Sequence, residues 1–170
     1  MRIAAPALFA ALALAACYRP DYTSSEPPRE IRLLHILRWD RDYCWTSYDT
    51  ARCPPAILEQ DDLALLRREP TSDVEIRKKA LLLHENVHAM NDFAWQWWPF
   101  RGRAWQWMGE REGFEVQIRY LIRHGVEVDE DHYVKVLTGP PYQRLCSEAE
   151  ARAFIRWAIE RARAQPAGGD

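Results

Sequence analysis

The residues from Ser72 to Asn91 constrain this chain more than any other stretch. Ser72 and Glu75 have the spacing of a capping box just after Pro70. Ile76, Ala80, Leu83, Val87 and Met90 then recur at helical intervals, so the spacing predicts a helix to about Asn91. Into the middle of that helix, within LLLHENVHAMND, the sequence sets His84, Glu85 and His88. Residues four apart project from one helix face, so both imidazoles can reach one ion. Neutral imidazole nitrogen is a good zinc ligand, and zinc imposes little geometry of its own. Glu85 falls on the flank, where it can take a proton from water instead of binding the ion. The bland alternative is a helix whose histidines are solvated or satisfied by core partners.

A third ligand separates these readings, because two histidines and a carboxylate leave a position open, as in catalytic zinc sites. Downstream, WQWMGEREGFEVQ offers Glu110, Glu112 and Glu115 on a second predicted helix, Arg103 to His124, with Gly125 as its C-cap. At about 100° per residue, Glu110 lies within the apolar sector of Trp107, Phe114, Ile118 and Leu121. Glu112 falls on the far side near Arg119 and Arg123, and Glu115 lies at the border. A carboxylate turned toward a core is costly unless a cation meets it. That selects Glu110, with a salt bridge to Arg103 as the alternative to a metal.

The remaining pattern supplies context. At 170 residues the chain is long enough for one domain with a real core. Its net charge of −2 gives no basic field for nucleic acid. IRLLHILRW (31–39) reads as a strand or short helix, and LALLRRE (63–69), stopped by Pro70, reads more like a strand. Ser147 with Glu150 starts a further helix. Cys44 and Cys53 could close a short disulfide loop and leave Cys146 over, or all three could be buried thiols; spacing does not choose. Trp95, Trp97, Trp98, Trp105 and Trp107 between the two site motifs suit a core, a cleft wall or a membrane interface. Arg101 and Arg103 beside them suit an anionic headgroup or a peptide carboxylate.

At HENVH and the later EREGFE the chain resembles the gluzincins, zinc metallopeptidases with His-Glu-x-x-His on one helix and a glutamate from a following one. The resemblance covers roughly residues 63–124. It implies an α+β fold, mainly α, with a zincin-like core and a small edge strand or sheet, for which LALLRRE is the candidate. It further implies one zinc ion per chain held by His84, His88 and Glu110, with Glu85 as general base and a peptide or protein as substrate. Gly113 and Phe114 stand where that family has a small residue and an aspartate, so the carboxylate that orients a ligand histidine there has to come from elsewhere; Asp92 and Glu115 are candidates. Tyr120, His124, His132 and Tyr133 are candidates by type for an oxyanion donor. Metzincins fit worse, since Asn91 and Ala94 replace their Gly and His. Peptide deformylases would use an upstream cysteine ligand such as Cys44.

The N-terminus reads separately. MRIAAPALFAALALAAC has one basic residue, an apolar run of signal-peptide length and small residues before Cys17. Leu14-Ala15-Ala16-Cys17 resembles the lipobox of bacterial lipoproteins, which implies cleavage before Cys17, a lipid on it and membrane attachment. The absence of aspartate at Tyr18 favours the outer membrane, facing the periplasm. The expected organisation is a signal peptide over 1–16, a polar tether over 17–29, a zincin-like metallopeptidase domain over 30–165 and a loose tail over 166–170. Two functions compete: an envelope-anchored metallopeptidase, and a zincin-like binding or structural lipoprotein without turnover.

Overall fold

The computed structural model describes residues 31–35, 43–47, 50–95 and 103–165. The signal segment with Cys17 and Tyr18, the tether, Trp97, Trp98, Arg101 and the tail lie outside these residues. So do the side chains of Asp92, Trp95, Arg103 and Trp105. No helix among the described residues is long and apolar enough to cross a membrane.

The fold is α+β and mainly helical. Three strands, β1 (Arg32–His35), β2 (Trp45–Ser47) and β3 (Thr50–Cys53), form one sheet in the order β1-β3-β2. β1 runs parallel to β3, pairing Leu33 with Ala51, and β2 runs antiparallel, pairing Thr46 with Ala51. Alternation decides which face is buried: Leu33, Ala51 and Cys53 point inward while Arg32 and Leu34 are exposed. The IRLLHILRW stretch is thus a strand where described.

Cys44 and Cys53 close a disulfide across β2 and β3 with Cα atoms 4.3 Å apart, and Cys146 is free. Chain-entropy arguments give a loop of this size roughly 2–3 kcal/mol of stabilisation. Urea unfolding of the Cys53→Ser variant is therefore expected to show a loss of that order. A change below about 0.5 kcal/mol, the scale of an ordinary surface substitution, would show that strand pairing alone holds the β2–β3 ribbon.

LALLRRE is not a strand. Its first five residues, Leu63 to Arg67, belong to a 3-10 helix, Gln60–Arg67, that starts where Glu59 N donates to Asp62 Oδ2 at 2.7 Å. Asp61 and Asp62 in the first turn favour a helix N-terminus. Burial in this short helix is one-sided, with Leu65 in the core and Leu63 and Leu66 packed against it. The edge strand beside the site helix is instead β2.

Four α-helices follow: α1 (Asp73–Trp95), α2 (Arg103–Arg123), α3 (Glu130–Thr138) and α4 (Glu148–Ala164). α1 begins as its sequence predicts, with Ser72 Oγ accepting from Glu75 N at 3.3 Å. The Glu75 carboxylate reaches Thr71 N and Arg68 instead of completing the box, and α1 runs a turn beyond Asn91. α2 ends at Gly125 with φ +72, where Gly125 N donates to Ile122 O and Val126 N to Leu121 O, both at 3.0 Å. That left-handed residue is where glycine is needed. α4 starts with the Ser147–Glu150 box as expected. α3 has no counterpart in the sequence reading; Asp129 caps it by accepting from Asp131 N and His132 N.

α1 lies between two apolar clusters. Leu82 and Ala89 face the sheet cluster of Leu33, Ala51, Cys53, Leu58 and Leu65. Ala80 joins the helical cluster of Phe114, Ile118, Leu121, Leu137 and Ile155. Each large side chain buried there contributes about 1.5–3 kcal/mol. This layering buries His84 to Val87 at the middle of α1 and leaves His88 partly exposed, which matters for what sits there.

Candidate metal centre

Among the described residues the buried polar or charged side chains are Lys79, His84, Glu85 and Asn86. Three of the four are consecutive, at the centre of α1. Lys79 is satisfied away from them, its Nζ donating to Arg68 O at 2.7 Å. Burying His84 and Glu85 at 2% exposure each is unfavourable unless each finds a partner.

His84 and His88, one turn apart, meet Glu110 from α2. His84 Nε2 and His88 Nε2 are 3.0 Å apart, and each lies 3.4 Å from Glu110 Oε2. Two zinc–nitrogen bonds of about 2.0–2.1 Å at a tetrahedral angle place their donors about 3.3 Å apart, so this triangle has the edge lengths of three corners of such a site. Glu110 Oε2 is buried, and among the described residues no donor completes a hydrogen bond to it. Burial pushes the Glu110 carboxyl up, and the imidazoles of His88 and His84 more than offset this, holding it at about 2. An ionised carboxylate oxygen and two imidazole nitrogens thus converge on one point, the donor set zinc takes.

The α2 face opposite the histidines is built for them. Gly109, Gly113 and Gln117 repeat every four residues along it. A Cβ on Gly113 would lie 2.8 Å from both Cδ2 and Nε2 of His84, so only glycine lets the ring lie there. At Gly109 a Cβ would stand 3.9 Å from His88 Nδ1, an ordinary contact. Phe114 closes the side, its ring edge-on to His84 with centroids 4.5 Å apart. Gly113 and Phe114, departures from the gluzincin pattern, are therefore complementary to the His84 imidazole.

The other ring nitrogen of His84 is also held. Nδ1 lies 3.0 Å from Gln117 Oε1, and Gln117 Nε2 donates to the Tyr133 hydroxyl at 3.3 Å. An amide oxygen only accepts, so with Gln117 in this orientation Nδ1 carries a proton, which in the neutral ring leaves the Nε2 lone pair for the cluster. The expectation that Asp92 or Glu115 fills this role is corrected for Glu115, which pairs with Arg161 at 3.3 Å; the Asp92 side chain lies outside the described residues.

Glu85 Oε2 accepts from Thr46 Oγ1 at 2.8 Å, a contact that the β2 strand delivers and that HENVH does not announce. Tyr142 adds a second unexpected neighbour. Its ring lies edge-on to Phe114 at 5.8 Å; burial, with the Glu110 and Glu85 carboxylates close by, pushes its phenol pKa well up. The phenol therefore keeps its proton as a hydrogen-bond donor.

The four donors proposed by residue type fare differently. Tyr133 stands behind His84 as the partner of Gln117, and burial pushes its pKa to about 12. Tyr120 and His124 stack on each other with centroids 4.1 Å apart, and Lys79 lies over the Tyr120 ring. His132 is exposed. Trp107 packs edge-on against Phe154 at 5.6 Å, a core role. A Cys44 ligand is ruled out by its disulfide. No family model, curated protein or solved structure matches the chain, so its candidate site stands on the geometry of these residues.

Proposed function

We propose that this chain is a zinc-dependent metallopeptidase, a zincin-like hydrolase of peptide (amide) bonds held at the bacterial envelope through a lipidated Cys17. The observation that carries the reading is the triangle of His84 Nε2, His88 Nε2 and Glu110 Oε2, with a buried glutamate next in sequence to the first ligand. Structural zinc sites are closed by four protein ligands; the cluster among the described residues offers three. That favours a position kept for water and substrate.

When bound, zinc supplies Lewis-acid polarisation of a carbonyl and lowers the pKa of water toward neutrality. The chain's own groups divide the rest. Thr46 holds Glu85 through Oε2, and we assign to the Glu85 carboxylate the step of taking the proton from water and passing it to the leaving amine. We assign donation to a developing oxyanion to Tyr142, whose buried phenol keeps its proton with the Glu110 and Glu85 carboxylates near it. β2 lies at an edge of the sheet, so an extended peptide pairing along it brings an amide beside Glu85.

Elemental analysis of the full chain tests this. The wild type is expected to carry about one zinc per chain and His88→Ala and Glu110→Ala to carry essentially none, since a zinc site needs at least three protein ligands. Zinc retained in Glu110→Ala would shift the third ligand elsewhere. No zinc in reconstituted wild type would overturn the metal reading. A zinc-loaded wild type that cleaves no member of a peptide library would favour the zincin-like lipoprotein that binds without turnover.

A further inference from the structure

We infer that Gln117 is the positioning residue of this site, a neutral amide that sets the tautomer and orientation of His84 where a carboxylate is the common choice. The inference rests on the metal reading only for its effect on zinc. The geometry is independent: His84 Nδ1 to Gln117 Oε1 at 3.0 Å, and Gln117 Nε2 to the Tyr133 hydroxyl at 3.3 Å. Tyr133 is itself buried, with its ring edge-on to Phe114 at 6.0 Å. The chain Tyr133–Gln117–His84 is thus anchored from α3 through α2 to α1. A flipped amide would turn its NH2 toward Nδ1 and move the imidazole proton to Nε2, against His88 Nε2 and Glu110 Oε2. The Tyr133 hydroxyl anchors the amide in place but can accept from its NH2 or donate to its oxygen, so it is the pairing with His84 that distinguishes the two orientations.

The choice of amide has a chemical consequence. A hydrogen bond from imidazole to a carboxylate is roughly twice as strong as one to a neutral acceptor and makes the ring a more basic ligand. With Gln117 the orientation is kept and the added basicity is not. The Glu110 carboxylate is then the one negative charge that the donor set itself brings to the ion. Gly113 explains how this is compatible with packing: it brings α2 close enough for a side chain one turn further on to reach Nδ1. Replacing the amide by Glu is the conservative probe, since it keeps the reach and adds the charge.

The test uses the full chain. Ring 15N NMR of the metal-free protein reads the His84 tautomer, and competition of Zn2+ against a chromophoric chelator reads affinity. Thermal melting of the metal-free forms runs in parallel. Wild-type His84 is expected in the Nδ1–H form. Gln117→Leu is expected to bind zinc about 10–100-fold more weakly, the usual loss for an outer partner of a ligand, and to lose the single tautomer. Gln117→Glu should keep the tautomer and bind at least as tightly as wild type. Tyr133→Phe removes the anchor of Gln117 while Gln117 remains; it should weaken zinc binding in the same direction as Gln117→Leu and serves if that variant fails to fold, and unchanged affinity there would count against the inference. An Nε2–H tautomer in wild type, or Gln117→Leu binding as tightly as wild type, overturns the inference. Parallel loss of affinity and melting temperature in both Leu and Glu variants also overturns it, by making Gln117 a packing residue. Wild type that binds no zinc fails the metal reading alone, and the tautomer then decides on Gln117 by itself.

Discussion

Glu85→Gln is expected to lower peptide hydrolysis by about 10²–10⁴-fold, the range for removing a general base, while leaving zinc content at the wild-type value. The substitution is nearly isosteric, and the new amide oxygen can still accept from Thr46 Oγ1, which now bonds Glu85 Oε2 at 2.8 Å. It also removes an ionisable group from a position at 2% exposure, so the fold should not suffer. What disappears is the basic carboxylate. Turnover on a peptide library and elemental analysis on the same preparation separate the outcomes. Hydrolysis within about twofold of wild type, far outside that range, would remove Glu85 from the mechanism. Loss of zinc with loss of turnover would make it a ligand or a scaffold residue instead of a base.

The second large effect comes from a residue with no functional group. Gly113→Ala should abolish zinc binding at micromolar metal and destabilise the chain by about 1–3 kcal/mol, the usual scale of overpacking. The added Cβ would sit 2.8 Å from the His84 ring. That ring has no retreat, because Gln117 holds Nδ1 at 3.0 Å and Phe114 stands edge-on at 4.5 Å. Gly109→Ala is the control: it lies one turn away in the same helix, and its Cβ would meet His88 at 3.9 Å. Both changes raise helix propensity by about 1 kcal/mol, so the difference between them isolates the clash. Gly109→Ala should keep its zinc and melt no lower than wild type. Equal behaviour of the two variants in zinc titration and thermal melting would show that α2 does not approach α1 at Gly113 as described.

Much of the site was legible along the chain because its signals are local. The pair His84 and His88 needs only helical periodicity, and the helix announces itself through Ser72 and its apolar spacing. Glu110 was reachable by the same means, as a carboxylate inside the apolar sector of α2. The boundaries at Gly125 and Ser147 follow from cap chemistry carried by single residues. The misses have an equally plain cause. A short apolar run such as Leu63–Leu66 buries one side whether it is a strand or a 3-10 helix, so its length and the stop at Pro70 did not discriminate. α3 is only nine residues long and too short for periodicity to stand out.

What no local pattern carries is which side chain faces which across the core. Thr46 meets Glu85 from 39 residues away, and Gln117 meets His84 from 33. Tyr142 comes from a loop beyond α3 to the same carboxylates. Helix and strand periods state which face an element buries; they are silent on what lies opposite, because that depends on the docking of elements far apart in the chain. The histidine pair, its flanking glutamate and the Glu110 carboxylate were therefore written in the order of residues. The groups that hold and tune them were decided by packing, where α1 lies between two apolar clusters and β2 and α2 bring partners to the buried Glu85 and His84.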